Sequence, residues 1–74
     1  MTLIEAPEKT KKLDYTIAYS PFLDEEGKMV ERYSLVLEAD FVPIGFAYAT
    51  DPSEFQKNIY QWKKFGKTFL PEIN

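Results

Sequence analysis

Hydrophobic and polar residues alternate along three stretches of the chain, and a fourth stretch changes period. In Leu13–Ser20 (LDYTIAYS), Leu13, Tyr15, Ile17 and Tyr19 fall on one side and Asp14, Thr16, Ala18 and Ser20 on the other, the period of a half-buried strand. Pro21 closes it where a missing N–H matters least. Phe22–Lys28 (FLDEEGK) has turn chemistry, with Gly27 suited to a positive φ. Met29–Ala39 (MVERYSLVLEA) sets Tyr33, Leu35 and Leu37 against Arg32, Ser34, Val36 and Glu38. Its long β-prone run predicts the central strand of a small sheet. After a corner at Asp40–Pro43, Ile44–Thr50 opposes Ile44, Phe46 and Tyr48 to Gly45, Ala47 and Ala49.

The period then becomes helical. Asp51 is a natural N-cap, Pro52 fits the first helical position, and Glu54 completes a capping-box pattern. Phe55, Ile59 and Trp62 fall on one stripe with Phe65 on its flank, which reads as core. Lys63 and Lys64 suit the negative end of the helix dipole, and Gly66 is a left-handed terminator. In the tail Lys67–Asn74, Phe69, Leu70 and Ile73 are expected to pack back onto the domain.

These elements predict an α+β fold, a three-stranded antiparallel β-meander with one C-terminal α-helix packed across one face (βββα). Residues 1–12 are expected to be a flexible N-terminal arm with weak pairing through Thr2–Glu5, and 13–74 a single small domain. The helix-facing side of the sheet would hold Tyr15, Ile17, Tyr19, Tyr33, Leu35, Leu37, Ile44, Phe46 and Tyr48. The other side would hold small residues, among them Ala18, Ser34, Val36, Ala47 and Ala49, together with Arg32. Small side chains let another molecule approach closely, so these six are candidates for a protein interface.

Composition narrows the chemistry. At 74 residues the chain is one domain at most, and domains this short bury only about 60% of their unfolded surface. There is no cysteine and no histidine, which removes disulfides, thiolate metal sites, and the commonest general base and zinc ligand. The acidic run Asp24, Glu25, Glu26 lacks the alternating ligands of a calcium loop, and no glycine-rich phosphate loop occurs. Paired carboxylates such as Glu38 and Asp40 would need a cleft that so small a fold rarely encloses. We therefore expect no enzyme, no cofactor and no metal. No apolar run is long enough to span a membrane and no signal-peptide pattern opens the chain, so a soluble, cytoplasmic protein is expected.

Charge is unevenly placed. The net charge is −3. Residues 1–54 carry eleven acids against five bases, and residues 55–74 four lysines against Glu72, so −6 meets +3. A general nucleic-acid binder is disfavoured. A local single-strand contact through Lys57, Tyr60, Lys63, Lys64 and Lys67 is the alternative, since lysines around an exposed ring have the physics to hold one.

Residues Tyr33–Pro71 also show a resemblance in spacing to the MbtH-like family, through Tyr33-Ser34-Leu35, Val42-Pro43-Ile44-Gly45-Phe46, Ile59 and Pro71. The resemblance implies a three-stranded sheet crossed by a helix, and an accessory protein that binds adenylation domains of peptide synthetases. The Trp and Pro of that family's Ser-x-Trp-Pro segment fall on Val36 and Leu37, and its second Trp on Phe46. Its Trp-Thr-Asp-x-Arg-Pro ending is replaced by Lys67–Pro71, so its partner-binding tryptophans are not carried over.

The sequence thus predicts a non-catalytic interaction module that docks onto a larger protein, as a small accessory or phage-type inhibitor or regulator. Its surfaces in contention are the small-residue sheet face, a strand edge, the Tyr60 side of the helix and the acidic hairpin. Self-association through the sheet face into a homodimer is a further expectation.

Overall fold

The structure, a computed structural model, describes residues 1–72. It is a small α+β fold with one helix and several antiparallel strands. In chain order these are β1 (Thr2–Glu5), β2 (Leu13–Tyr19), β3 (Phe22–Leu23), β4 (Met29–Val30), β5 (Tyr33–Ala39), β6 (Val42–Ala49), a 3₁₀ turn (Pro52–Phe55), α1 (Gln56–Phe65) and β7 (Lys67–Leu70). The expected meander is present as the sheet β2-β5-β6, but two further pairs, β1-β7 and β3-β4, extend the βββα pattern.

One register runs through the long hairpin. Leu13 pairs with Ala39 and Tyr19 with Tyr33 in β2-β5, and the same alignment carries on to Phe22–Val30 and Leu23–Met29 in β3-β4. Pro21 does not break it. Because Ser20 N–H donates to the Arg32 carbonyl (2.7 Å), the next N–H position points outward, where proline costs nothing. The hairpin stretches the molecule to 46 × 21 × 19 Å. Its tip is closed by Gly27 at φ 80° and by Asp24, whose carboxylate accepts from the Glu26 and Lys28 N–H groups (both 2.9 Å).

The β5-β6 turn sets which residues reach the core. Asp40 and Phe41 both take positive φ (48° and 69°) in a two-residue turn between the paired Ala39 and Val42, as hairpin twist requires. Asp40 is held there by the Lys11 and Lys12 N–H groups, which donate to its carboxylate at 3.0 and 2.7 Å. The register then slips, from Glu38 opposite Pro43 to Leu37 opposite Gly45. Ile44 is the extra residue of a bulge, and past it the faces exchange. Leu35 therefore pairs with Ala47 and Tyr33 with Ala49, while Phe46 and Tyr48 pair with Val36 and Ser34 on the other side.

The core comprises Leu35, Leu37, Ala39, Ala47, Phe55, Trp62 and Leu70. Ile59 is half-buried as the helical stripe predicts, but Phe65 is largely exposed. Asp51 caps the helical segment by accepting from Ser53 N–H (2.9 Å), without the expected reciprocal bond from Glu54, and Gly66 ends α1 at φ 70°. Trp62 Nε1–H donates to the Asp14 carbonyl (2.9 Å) and the Lys63 ammonium to that of Leu13 (2.9 Å), tying α1 to one end of β2. Ten helical residues span about 15 Å and seven strand residues about 23 Å. Tyr15, Ile17 and Tyr19 accordingly stay partly exposed beyond the helix.

The first twelve residues, read as an arm, carry a strand at Thr2–Glu5, which pairs with β7 from Thr2–Leu70 to Glu5–Lys67. This terminal ribbon packs on the helix side of the sheet. Gly45 allows the approach: a Cβ there would stand 3.1 Å from Ile4 and 3.3 Å from Leu70. Buried Thr68 donates to Gln61 (2.7 Å) and accepts from Asn58 (3.0 Å), fastening ribbon to helix. Leu70 is buried as expected, Phe69 is exposed, and Ile73 lies outside the described residues.

Candidate functional site: the outer sheet face

The six interface candidates separate. Ala18, Ser34 and Val36 lie on the outer face, away from the helix, and so does Arg32, which follows the same alternation. Ala47 is only 1% exposed and Ala49 is half-buried, both on the inner face and apart from the other four. The bulge at Ile44 is the reason, and it puts Phe46 and Tyr48 in their place. The expected small-residue surface is an aromatic one.

Its geometry follows from the cross-strand rows. Thr16, Val36 and Phe46 form one row, and Ala18, Ser34 and Tyr48 the next. Phe46 is 51% and Tyr48 41% exposed. The Arg32 guanidinium lies 4.0 Å from the Tyr48 ring centroid and 4.6 Å from that of Phe22, and its Nε–H donates to the Ser20 carbonyl (2.9 Å). Arginine between two rings is held by cation–π attraction, and its Nη2 also donates to the Ser20 hydroxyl (3.4 Å). Thr16 donates to Glu38 (2.8 Å), which fixes that carboxylate on the face, opposite Asp14. Sequence reasoning puts Phe46 and Tyr48 in the core and Phe22 in a turn. The signal for the exposure of the two β6 rings is Gly45, since an isolated glycine inside a strand marks a bulge or a close backbone approach.

The lysine-rich set is dispersed. Lys63 is turned to the Leu13 carbonyl, and Lys67 stands opposite Glu5 in the terminal ribbon. Lys64 donates to the Tyr60 hydroxyl (2.9 Å) and sits 5.3 Å from the Tyr60 ring centroid, off the hydroxyl end of the ring. Tyr60 meets Phe65 edge-on at 6.5 Å. Lys57 and Tyr60 are exposed on α1.

Among the described residues no cluster of three or more acidic side chains is placed to hold a metal ion, and no helix is long and apolar enough to cross a membrane. At Asp51, hydrogen bonding from Ser53, its backbone N–H first and its side chain second, holds the carboxyl below its ordinary value. Compared with known proteins, the chain matches no family model, no curated protein and no solved structure.

Proposed function

We propose that the protein is a non-catalytic interaction module that docks onto a larger protein through the outer face of its sheet, in the manner of a small accessory or phage-type inhibitor or regulator. The observation that carries this reading is the exposed Phe46-Tyr48 pair beside Val36, with Arg32 held between Tyr48 and Phe22. Tyrosine, other aromatics and arginine are enriched where interfaces concentrate their binding energy. The two positions on which the MbtH-like tryptophans fall, Val36 and Phe46, are direct cross-strand partners here. The resemblance in spacing thus falls on the same face.

Capture from the protein's own cell lysate tests the reading, with Phe46→Lys compared against the helix variant Lys57→Glu/Lys64→Glu. Both are exposed positions and both variants are expected to keep the native circular dichroism spectrum. A partner retained by wild type and the helix variant, lost with Phe46→Lys and indifferent to salt, supports outer-face docking. Capture lost in the helix variant, and fading steeply between low and physiological salt, overturns it in favour of an anionic partner.

A further inference from the structure

We infer that the free edge of β2 pairs with the same edge of a second copy, in antiparallel register about a two-fold axis at Ile17. The backbone bonds around β2 fix what that edge offers. Asp40 N–H donates to the Lys12 carbonyl (2.8 Å) and Ser20 N–H to the Arg32 carbonyl (2.7 Å). With no slip between these points, the even-numbered residues of β2 bond to β5 and the odd-numbered ones point their N–H and C=O groups outward. Asp14 Oδ1 accepts from Tyr15 N–H (2.8 Å), and the Leu13 carbonyl is taken by Lys63. The Tyr15 carbonyl, both groups of Ile17 and Tyr19 N–H have no partner among the described residues.

That row is self-complementary. Ile17 N–H meets the second copy's Ile17 carbonyl and the reverse, and on either side Tyr19 N–H meets the second copy's Tyr15 carbonyl. The ladder also ends by itself. The next position outward would set Leu13, whose carbonyl is occupied, opposite the second copy's Pro21, which has no N–H to give. No charged residue occurs between Tyr15 and Pro21, so the charged side chains that protect many natural edges are absent from that stretch. The corresponding edge of β6 is different, since the groove beside it is walled by Thr2, Ile4, Leu70 and Pro71 of the terminal ribbon.

The result is a continuous sheet with the two outer faces side by side. The pairing goes beyond the outer-face reading and stands independently of it.

Sedimentation velocity of the full chain from about 10 μM to about 1 mM covers the range in which so small a contact associates. The wild type is expected to shift from monomer to dimer, with the Ile17 and Tyr19 amides gaining exchange protection as it does. Ile17→Lys stays monomeric and folded. Phe46→Lys leaves the dimer intact. A wild type monomeric throughout, a dimer that survives Ile17→Lys, or a dimer lost with Phe46→Lys overturns the inference. A monomer leaves outer-face docking untouched.

Discussion

The two faces of the β2-β5-β6 sheet invert the usual relation between residue size and burial. On the inner face β6 contributes Gly45, Ala47 and Ala49, and on the outer face the much larger Phe46 and Tyr48. The small residues are the buried ones. Volume on the inner side is supplied from elsewhere: Phe55 from the 3₁₀ turn, Trp62 from α1 and Leu70 from the terminal ribbon. A core fills to a fixed density whichever element supplies the atoms, so β6 is kept small where Leu70 and Ile4 arrive. Among the described residues the outer face has no such cover, and Phe46 and Tyr48 stay exposed there.

The sharpest way to test that asymmetry is to remove volume from each side. Trp62→Ala empties a fully buried site (0% exposed) and deletes the bond to the Asp14 carbonyl. A loss of about 3–5 kcal/mol in urea unfolding is expected, a large part of the roughly 4–11 kcal/mol a chain of this length holds. The outer-face variant Phe46→Lys should stay within about 0.5 kcal/mol of wild type. Comparable losses from both would show that the outer face is also folded against something.

Adding volume probes the inner face from the other direction. In Gly45→Ala the new methyl meets Ile4 and Leu70, from both strands of the ribbon, at 3.1–3.3 Å. Leu70 is itself buried, so relief requires moving the ribbon. Overpacking costs about 1–3 kcal/mol, and removing a strand glycine returns about 0.5–1 kcal/mol of entropy. A net loss of about 1 kcal/mol is expected, with faster amide exchange in β1 and β7. Unchanged or increased stability would mean the ribbon is not seated on β6.

These residues also show how far the sequence was legible. The strand at Leu13–Tyr19, the central strand and the helix with its Gly66 stop all follow from local period and capping. The face of β6 does not. Without the bulge, Leu37 would pair with Ile44 and Leu35 with Phe46, which is the arrangement that alternation predicts. One extra residue reverses it, and only the turn at Asp40-Phe41, with two non-glycine residues at positive φ, fixes where the count begins. Alternation is a property of each strand alone, while register belongs to the pair. The β1-β7 ribbon is half legible for a related reason: pairing through Thr2–Glu5 is expected, but Thr2–Glu5 and Lys67–Leu70 are short and each gains its partner only from the far end of the chain. The candidate interface inherited the same gap, keeping its β2 and β5 members and exchanging those on β6.

The smallest expected effect concerns how the cover of the inner face begins. Asp51 holds the start of the segment that delivers Phe55 and Trp62, and its carboxylate must be ionised to accept fully from Ser53. Its pKa is lowered in the folded state by that bonding. The stabilisation is therefore complete above the unfolded aspartate value of about 3.9, and it is lost as pH falls through the folded value. The Asp51→Asn variant keeps an acceptor at the cap but has nothing to titrate there. Stability curves of wild type and Asp51→Asn should thus run parallel from neutral pH down to about 4 and converge below it. Curves that stay parallel throughout would mean the cap acts through its geometry alone and the charge at the helix start contributes nothing to holding Trp62 over the sheet.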